Sequence, residues 1–117
     1  FFAADRENEM VRQRYDSLDL NYIKFLKTII KKTKKFNTPL SFCGEDAGKP
    51  LEALVLTAIG IKNLSMRPSS IGSIKDLIRK VNLKEIKDII SESEIKNNNL
   101  VRKNLKEFLK KHNEIII

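Results

Sequence analysis

A single cysteine, few aromatic residues and no long apolar run limit what this chain can be. One cysteine excludes an internal disulfide and is typical of a protein from the reducing cytosol. No apolar run approaches the roughly 20 residues that span a bilayer, and no signal peptide is recognisable. At 117 residues the chain is also too short for a complete α/β barrel, which needs about 250. We therefore expect one small cytoplasmic domain, or a piece of a larger one, with no membrane partner.

The charge of the chain is strongly basic, with 23 Lys and Arg residues against 15 Asp and Glu residues. Such a balance is compatible with nucleic-acid binding. The lysines, however, alternate with acidic residues along the predicted helix faces, as on a solvated surface. The aromatic residues, 7% of the chain, are not interleaved with the basic ones as stacking on single strands requires. We expect no nucleic-acid partner; a basic helical module that binds nucleic acid or a protein remains the alternative from another functional class.

Apolar spacing and turn residues predict an α/β chain in which strands and helices alternate. The predicted strands are 1–4, 40–43 and 61–66. The predicted helices begin after Asp19, at Pro50, after Ser69 or Ser70, after Asn82 and near Leu100, with a loop at 44–49 and a loose polar segment at 91–99. The second helix is predicted to end at Gly60 and to have one inward face, made of Leu51, Leu54, Val55, Ala58 and Ile59. The face predicted for the third helix is Ile71, Ile74, Leu77, Ile78 and Val81. Two strands joined by a helix of this length must be parallel, so residues 40–66 are predicted to form a βαβ unit.

Polar residues follow each predicted strand, as Asp5–Arg6, Cys43–Glu45 and Ser65–Arg67. Parallel α/β folds bind ligands beyond the carboxyl ends of their strands. We therefore expect these three groups to lie on one rim and to form a site there.

Cys43 and Arg6 are the candidate functional residues of that rim. An unperturbed thiol is mostly protonated at neutral pH, so Cys43 can act as a general acid as well as a nucleophile. The alternative for Cys43 is a small buried apolar residue. Arg6 offers a planar fork for a phosphate or carboxylate. Its alternative is a surface ion pair with Asp5 or Glu9.

Weaker candidates have structural interpretations that we favour. The only histidine, His112, belongs to the distal charged helix and is expected on the surface, which argues against a Cys–His nucleophile pair. The adjacent carboxylates Glu45 and Asp46 lack the spacing of a metal site. A helix start at Ser69–Ser70 can hold an anion, but simple capping explains it as well.

The order of several short motifs resembles a known family. AADRENEMVRQRYDSL is followed by PLSFCGEDAGKPLEALVLTAIGIKNLSMRPSSIGSIKDLIRKV. The DR pair, CGE with a following AG, GIG and LSM-x-PSSI together resemble the C-terminal part of the phosphoenolpyruvate (PEP)-utilising enzymes. The PEP–protein phosphotransferase of the phosphotransferase system, or its nitrogen-related paralogue, is the most similar branch. The resemblance covers residues 1–90, and residues 91–117 match only loosely.

This resemblance implies a (β/α)8 barrel that binds PEP and Mg2+. Residues 1–90 would supply about the last three strands of that barrel with their helices, and residues 91–117 a C-terminal helical extension. Arg6 falls on the arginine that contacts PEP, and Cys43 on the acid that protonates the enolate carbon to release pyruvate. The family passes the phosphoryl group to a histidine on a separate domain and then to an HPr-type carrier, and it dimerises through its C-terminal domain.

The resemblance also sets limits on this chain. In the family the Mg2+ ligands and the phosphorylated histidine lie upstream, so we expect these residues alone neither to hold Mg2+ nor to turn over PEP. A PEP synthase or pyruvate phosphate dikinase fragment is the alternative within the superfamily, and a structural piece that keeps only the dimer surface is another. Arg67 departs from the family pattern, which has a small residue after the LSM motif. Parallel strands without neighbours further predict marginal stability or self-association.

Overall fold

The structure, a computed structural model, describes residues 16–111, which form five helices around a two-stranded sheet. In chain order the elements are α1 (Leu20–Lys35), β1 (Ser41–Cys43), a 3-10 turn (Glu45–Gly48), α2 (Pro50–Ile59), β2 (Asn63–Ser65), α3 (Pro68–Lys80), α4 (Leu83–Lys96) and α5 (Val101–Lys111). The chain is therefore α/β and mostly helical. The strand predicted at residues 1–4 lies outside the described residues.

The two strands pair in parallel, as the predicted βαβ unit requires. Phe42 stands opposite Leu64, and Cys43 stands opposite Ser65. The observed strands are shorter than the predicted strands 40–43 and 61–66, since pairing covers three positions on each. Before the first of them, the Leu40 carbonyl accepts a hydrogen bond from the side-chain amide of Asn63 at 3.4 Å.

Helix α2 lies at the centre of the molecule. The sequence predicts one inward face, but every residue from Leu51 to Leu56 is buried. A helix that is apolar on almost all sides is buried on almost all sides. Pro50 occupies its first turn and Gly60, at φ 116°, ends it in the left-handed conformation, as predicted.

Two apolar clusters surround α2. The larger contains buried residues of all five helices, including Ile23 of α1, Leu77 of α3 and Ile86 of α4. Helix α5 adds Val101, Leu105 and Leu109, each at most 1% exposed. The smaller cluster joins α1 and α2 to the sheet through buried Leu26, Ile30, Leu56 and Ile61, with Phe42 and Leu64 packed against it. Helices on both sides of residue 90 thus share one core.

Two predicted N-caps are present in the structure. Asp19 accepts the backbone N–H of Asn21 at 2.8 Å, and Asn82 accepts that of Lys84 at 3.0 Å. Each carboxylate or amide oxygen satisfies one of the orphan donors at a helix start.

The prediction of a loose segment after Ile90 is wrong for residues 91–96. Helix α4 continues to Lys96 and ends at Asn97, whose φ of 51° is left-handed. Ile86, Ile90 and Ser93 form one buried helical face, and the serine hides the apolar period in the sequence. An ion pair between Lys27 of α1 and Glu94 fixes this last turn.

The predicted start of α3 is also wrong. The helix begins at Pro68, so Arg67 and not a serine holds the N-cap position. Proline is favoured at the first helical position because its missing N–H would have no partner there. Ile74 and Leu77 are buried as predicted, whereas Ile71 is 40% exposed.

A buried charge links the first and last parts of the described chain. Glu52 in α2 is only 4% exposed, and its Oε1 lies 2.6 Å from Nη2 of Arg102 in α5. The same guanidinium donates from Nη2 and Nε to the two carboxylate oxygens of Asp16, at 2.7 and 3.0 Å. These hydrogen bonds lower the pKa of Asp16 and raise that of Arg102. Arg102 therefore neutralises a carboxylate that has lost its water.

We expect Arg102→Met to lower the free energy of unfolding of the 117-residue chain by about 2 to 3 kcal/mol. This is less than the roughly 3 to 5 kcal/mol typical of breaking a fully buried pair, because Arg102 is partly exposed. Urea denaturation measures the change. The double variant Glu52→Met/Arg102→Met should recover more than half of the loss, since no charge is then stranded. A double variant no more stable than Arg102→Met would assign the loss to packing of the arginine stem.

The lowered pKa of Asp16 predicts a pH-dependent contribution to stability. Asp16→Asn keeps the acceptor for the Leu18 N–H (2.9 Å) but loses the charge. Asp16 is exposed, so we expect a cost below about 1 kcal/mol at pH 7. A carboxyl with a depressed folded pKa stabilises above its unfolded value, about 3.9, and loses that effect as the pH falls through the folded value. Urea titrations from pH 6 to pH 3 should show the difference shrinking below about pH 4; a constant difference would contradict the assignment.

Candidate functional site

The carboxyl ends of β1 and β2 lie side by side. Cys43 is the last residue of β1 and Ser65 the last of β2, and the two are direct partners in the register. Neighbouring strands are about 4.8 Å apart. Two of the three predicted polar groups, Cys43–Glu45 and Ser65–Arg67, are therefore brought together at one edge. The third, Asp5–Arg6, lies outside the described residues.

The sheet has an apolar face and a polar face. Phe42 and Leu64 pack against the smaller apolar cluster, beneath the helices. Because side chains alternate along a strand, Cys43 and Ser65 lie on the other face, and both are exposed. Cys43 is a free, exposed cysteine, so the alternative of a small buried apolar residue is wrong.

Gly44 lets the chain turn immediately after the thiol. Its φ of 130° and ψ of −178° belong to a region that residues with a side chain rarely adopt. The 3-10 turn that follows is anchored by Ala47, which is fully buried. The loop predicted at residues 44–49 is thus an ordered turn.

The turn after β1 is packed tightly against the segment after β2. A Cβ on Gly48 would lie 3.2 Å from Ser70 Oγ and 3.5 Å from Met66 Cβ. Only glycine permits this approach without a shift of its neighbours. The contact fixes the two strand-end segments relative to each other.

These segments enclose an open cleft of about 600 Å3. Its lining residues are Gly44, Glu45, Gly48, Lys49, Ser65, Met66, Arg67 and Ser70. The sequence predicts the strand-end members, but not Gly48, Lys49 or Ser70. The signal in the sequence that could have indicated a close approach is the pair Gly44 and Gly48, one on each side of a charged turn.

The charges of the cleft are only partly paired. Lys49 Nζ lies 3.2 Å from Asp46 Oδ1. Within residues 16–111, Arg67 and Glu45 have no ion pair or hydrogen bond to their side chains. Outside the lining of the cleft, burial and, to a lesser extent, the charge of Asp46 raise the pKa of Tyr22 above its usual value. The cleft itself carries two cations and one anion.

The described residues do not form a magnesium site. No group of three or more His, Cys, Asp or Glu side chains is close enough together in residues 16–111 to hold a metal ion. Of the two adjacent carboxylates, Asp46 is already engaged by Lys49. His112 lies outside the described part of the chain, and the start of α3 has no side-chain cap. None of the helices in the described range has the length and apolar composition needed to cross a membrane.

Comparison with known proteins gives a consistent set of matches. The family described as "PEP-utilising enzyme, PEP-binding domain" matches residues 1–83. The "Phosphoenolpyruvate-protein phosphotransferase" of Mycoplasma genitalium is 30% identical over 116 residues, which is 98% of this chain and 20% of that protein. This alignment includes nearly all of the final helices.

Other relatives carry related names. The "Phosphoenolpyruvate-dependent phosphotransferase system" protein of Salmonella typhimurium is 32% identical over 78% of this chain and 12% of its own length. The "Probable phosphoenolpyruvate synthase" of Pyrococcus horikoshii is 33% identical over 65% of this chain and 9% of its own length. The chain thus spans a fifth or less of these relatives.

The geometry of Gly44 predicts a purely conformational cost of substitution. A Cβ at Gly44 would meet no atom within 4 Å, so Gly44→Ala adds no clash and only strains the backbone. We expect a loss of about 1 to 3 kcal/mol in urea denaturation. Gly72, inside α3 and also open to solvent, is the matched control. Gly72→Ala should stabilise by about 0.5 to 1 kcal/mol. Equal effects of the two substitutions would contradict the strained turn.

Proposed function

The chain belongs to the PEP-utilising enzymes, and we propose that it forms part of a PEP–protein phosphotransferase. The enzyme transfers the phosphoryl group of PEP to a protein histidine and releases pyruvate. The observation that carries the proposal is the exposed thiol of Cys43, at the carboxyl end of a parallel strand and beside a charged cleft. The names of the relatives support the same reaction.

The fold proposal is the C-terminal part of a (β/α)8 barrel. It is supported by the parallel βαβ unit and by the division of the sheet into two faces. Phe42 and Leu64 face the helices, as outward residues of a barrel strand do. The polar face with Cys43 and Ser65 corresponds to the barrel interior. We place the barrel portion at residues 1–90 and the helical extension at 91–117.

Cys43 is proposed as the acid that completes the reaction. When the phosphoryl group leaves PEP for the histidine nitrogen, the P–O bond breaks and the enolate of pyruvate remains. The Cys43 S–H bond then gives its proton to the enolate carbon, which forms the methyl group of pyruvate. The resulting thiolate regains a proton from water. An exposed thiol at a strand end has access to both the substrate and solvent.

The remaining parts of the proposal come from the family. Arg6 is proposed to bind PEP through its guanidinium. Mg2+ would be held by residues of the whole enzyme upstream of this chain, where it would neutralise substrate charge. The proposed partners are an HPr-type phosphocarrier and a second copy of the enzyme, in the cytoplasm.

The synthase alternative is less well covered. The phosphotransferase of Mycoplasma genitalium aligns with 98% of this chain, whereas the synthase of Pyrococcus horikoshii aligns with 65%. Identity is similar in both, at 30% and 33%. The extent of the alignment, including the last helices, favours the phosphotransferase.

The decisive variant is Cys43→Ala in the full-length protein that contains this chain. We expect phosphoryl transfer from PEP to fall by about 100-fold or more, since general acid catalysis typically contributes that much. Binding of PEP, measured by calorimetry, should persist because the thiol supplies a proton and not the main binding energy. Pyruvate release coupled to phosphorylation of the carrier is the readout.

One control and two contradicting outcomes complete this test. The isolated 117-residue chain should release no pyruvate from PEP. Unchanged transfer in Cys43→Ala would remove the cysteine from the mechanism. A salt-dependent shift of generic DNA by the full-length protein, with no transfer from PEP, would favour the basic binding module instead.

A further inference from the structure

Arg67 carries a charge that no described residue neutralises. It is exposed, lines the cleft, and has no hydrogen-bond or ion-pair partner for its side chain within residues 16–111. The other cation of the cleft, Lys49, is held by Asp46 at 3.2 Å. Of the two cations, Arg67 is therefore the one available to an incoming anion.

The backbone of Arg67 is set before any ligand arrives. Its φ of −60° and ψ of 140° are extended, and Pro68 follows at the start of α3. A residue before proline is restricted to this extended region, so Pro68 limits the directions from which the side chain can leave the rim. Met66, one residue earlier, is held close to Gly48. Little backbone ordering remains to oppose binding.

The position of Arg67 relates it to the thiol. Ser65 is the register partner of Cys43, and Arg67 comes two residues later on the same rim. An extended dipeptide spans about 7 Å, which is within reach of a long arginine side chain. An anion held by an Arg67 side chain that turns toward β1 would therefore lie near the exposed thiol.

We propose that Arg67 is a substrate-binding residue of this cleft, whose guanidinium binds a carboxylate or phosphate oxygen pair of PEP beside Cys43. The inference rests on the proposed function and adds to it a contact that belongs to this chain's own sequence, since the resemblance predicts a small residue at this position. The planar fork suits both carboxylate and phosphate geometry.

Steady-state kinetics of the full-length protein test the contact. Arg67→Ser should raise the KM for PEP by about tenfold or more, the effect of losing a charge-assisted hydrogen bond, and change kcat by less than about threefold. The KM of Arg67→Lys should lie between those of the wild type and Arg67→Ser, because lysine keeps the charge but lacks the planar guanidinium. Inhibition by pyruvate and by inorganic phosphate separates the two groups. The inhibitor whose potency depends on Arg67 identifies the one that is bound.

The matched control is Arg79→Ser. Arg79 is an exposed arginine in the last turn of the same helix, 12 residues further along the chain, or about 18 Å along the axis. The variant Arg79→Ser removes the same charge at a place outside the cleft, so its KM for PEP should equal that of the wild type. An unchanged KM in Arg67→Ser, or an equal rise in both variants, would overturn the inference while leaving the reaction itself established.

Failure of the proposed function gives a different result. If the wild-type full-length protein does not turn over PEP, calorimetry with inorganic phosphate and with pyruvate still examines the cleft. Binding weakened by Arg67→Ser and not by Arg79→Ser would support an anion site at Arg67. No difference between the variants would overturn it.

Discussion

The pairing of buried Glu52 with Arg102 is the constraint on which much of this structure depends. An ionised carboxylate that is 4% exposed is tolerated only with a partner, because desolvation of a charge costs several kcal/mol. The partner arrives from α5, half a chain away, and it also takes hold of Asp16 at the start of the described residues. One guanidinium thereby connects the central helix to α5 and to Asp16, the first of the described residues. The apolar packing of α5 and this ion pair both require α5 to lie against the central helix, so each stabilises the other.

The site is held by backbone geometry rather than by the sheet. Three paired positions on each strand form a short ladder, and each strand has a single neighbour among the residues that the structure describes. What fixes the cleft is the turn at Gly44 and the contact of Gly48 with Ser70 and Met66. The two strand-end segments are therefore fixed relative to each other by their backbones. The charged side chains of Lys49 and Arg67 line the cleft that these segments form.

The sequence predicted elements with regular signals and missed those that depend on contacts across the chain. Asp19, Pro50 and Gly60 marked helix ends because capping and proline chemistry are local. The parallel pairing of β1 and β2 followed from the length of the crossover. The continuation of α4 past Ile90 was missed because Ser93 is polar and interrupts the apolar pattern of the sequence. Only its packing against other helices shows that it belongs to the core. The burial of Glu52 was missed because its partner, Arg102, lies 50 residues later in the chain.

The candidate site was likewise predicted where local signals define it and missed where contacts across the chain do. Local reasoning placed Cys43 and Ser65–Arg67 on one rim, because strand ends in a parallel sheet meet at one edge. It could not place Lys49 or Ser70 in the cleft, since their positions follow from how the turn folds back onto the start of α3. The polar face of the sheet is explained by the local strand pattern together with the packing of the helices. Helices cover Phe42 and Leu64, so the thiol is left on the side where the described chain provides no cover. The exposure of Cys43 is thus a consequence of how the helices stack, and the preference for anions that we propose for this rim would come from the charge of Arg67.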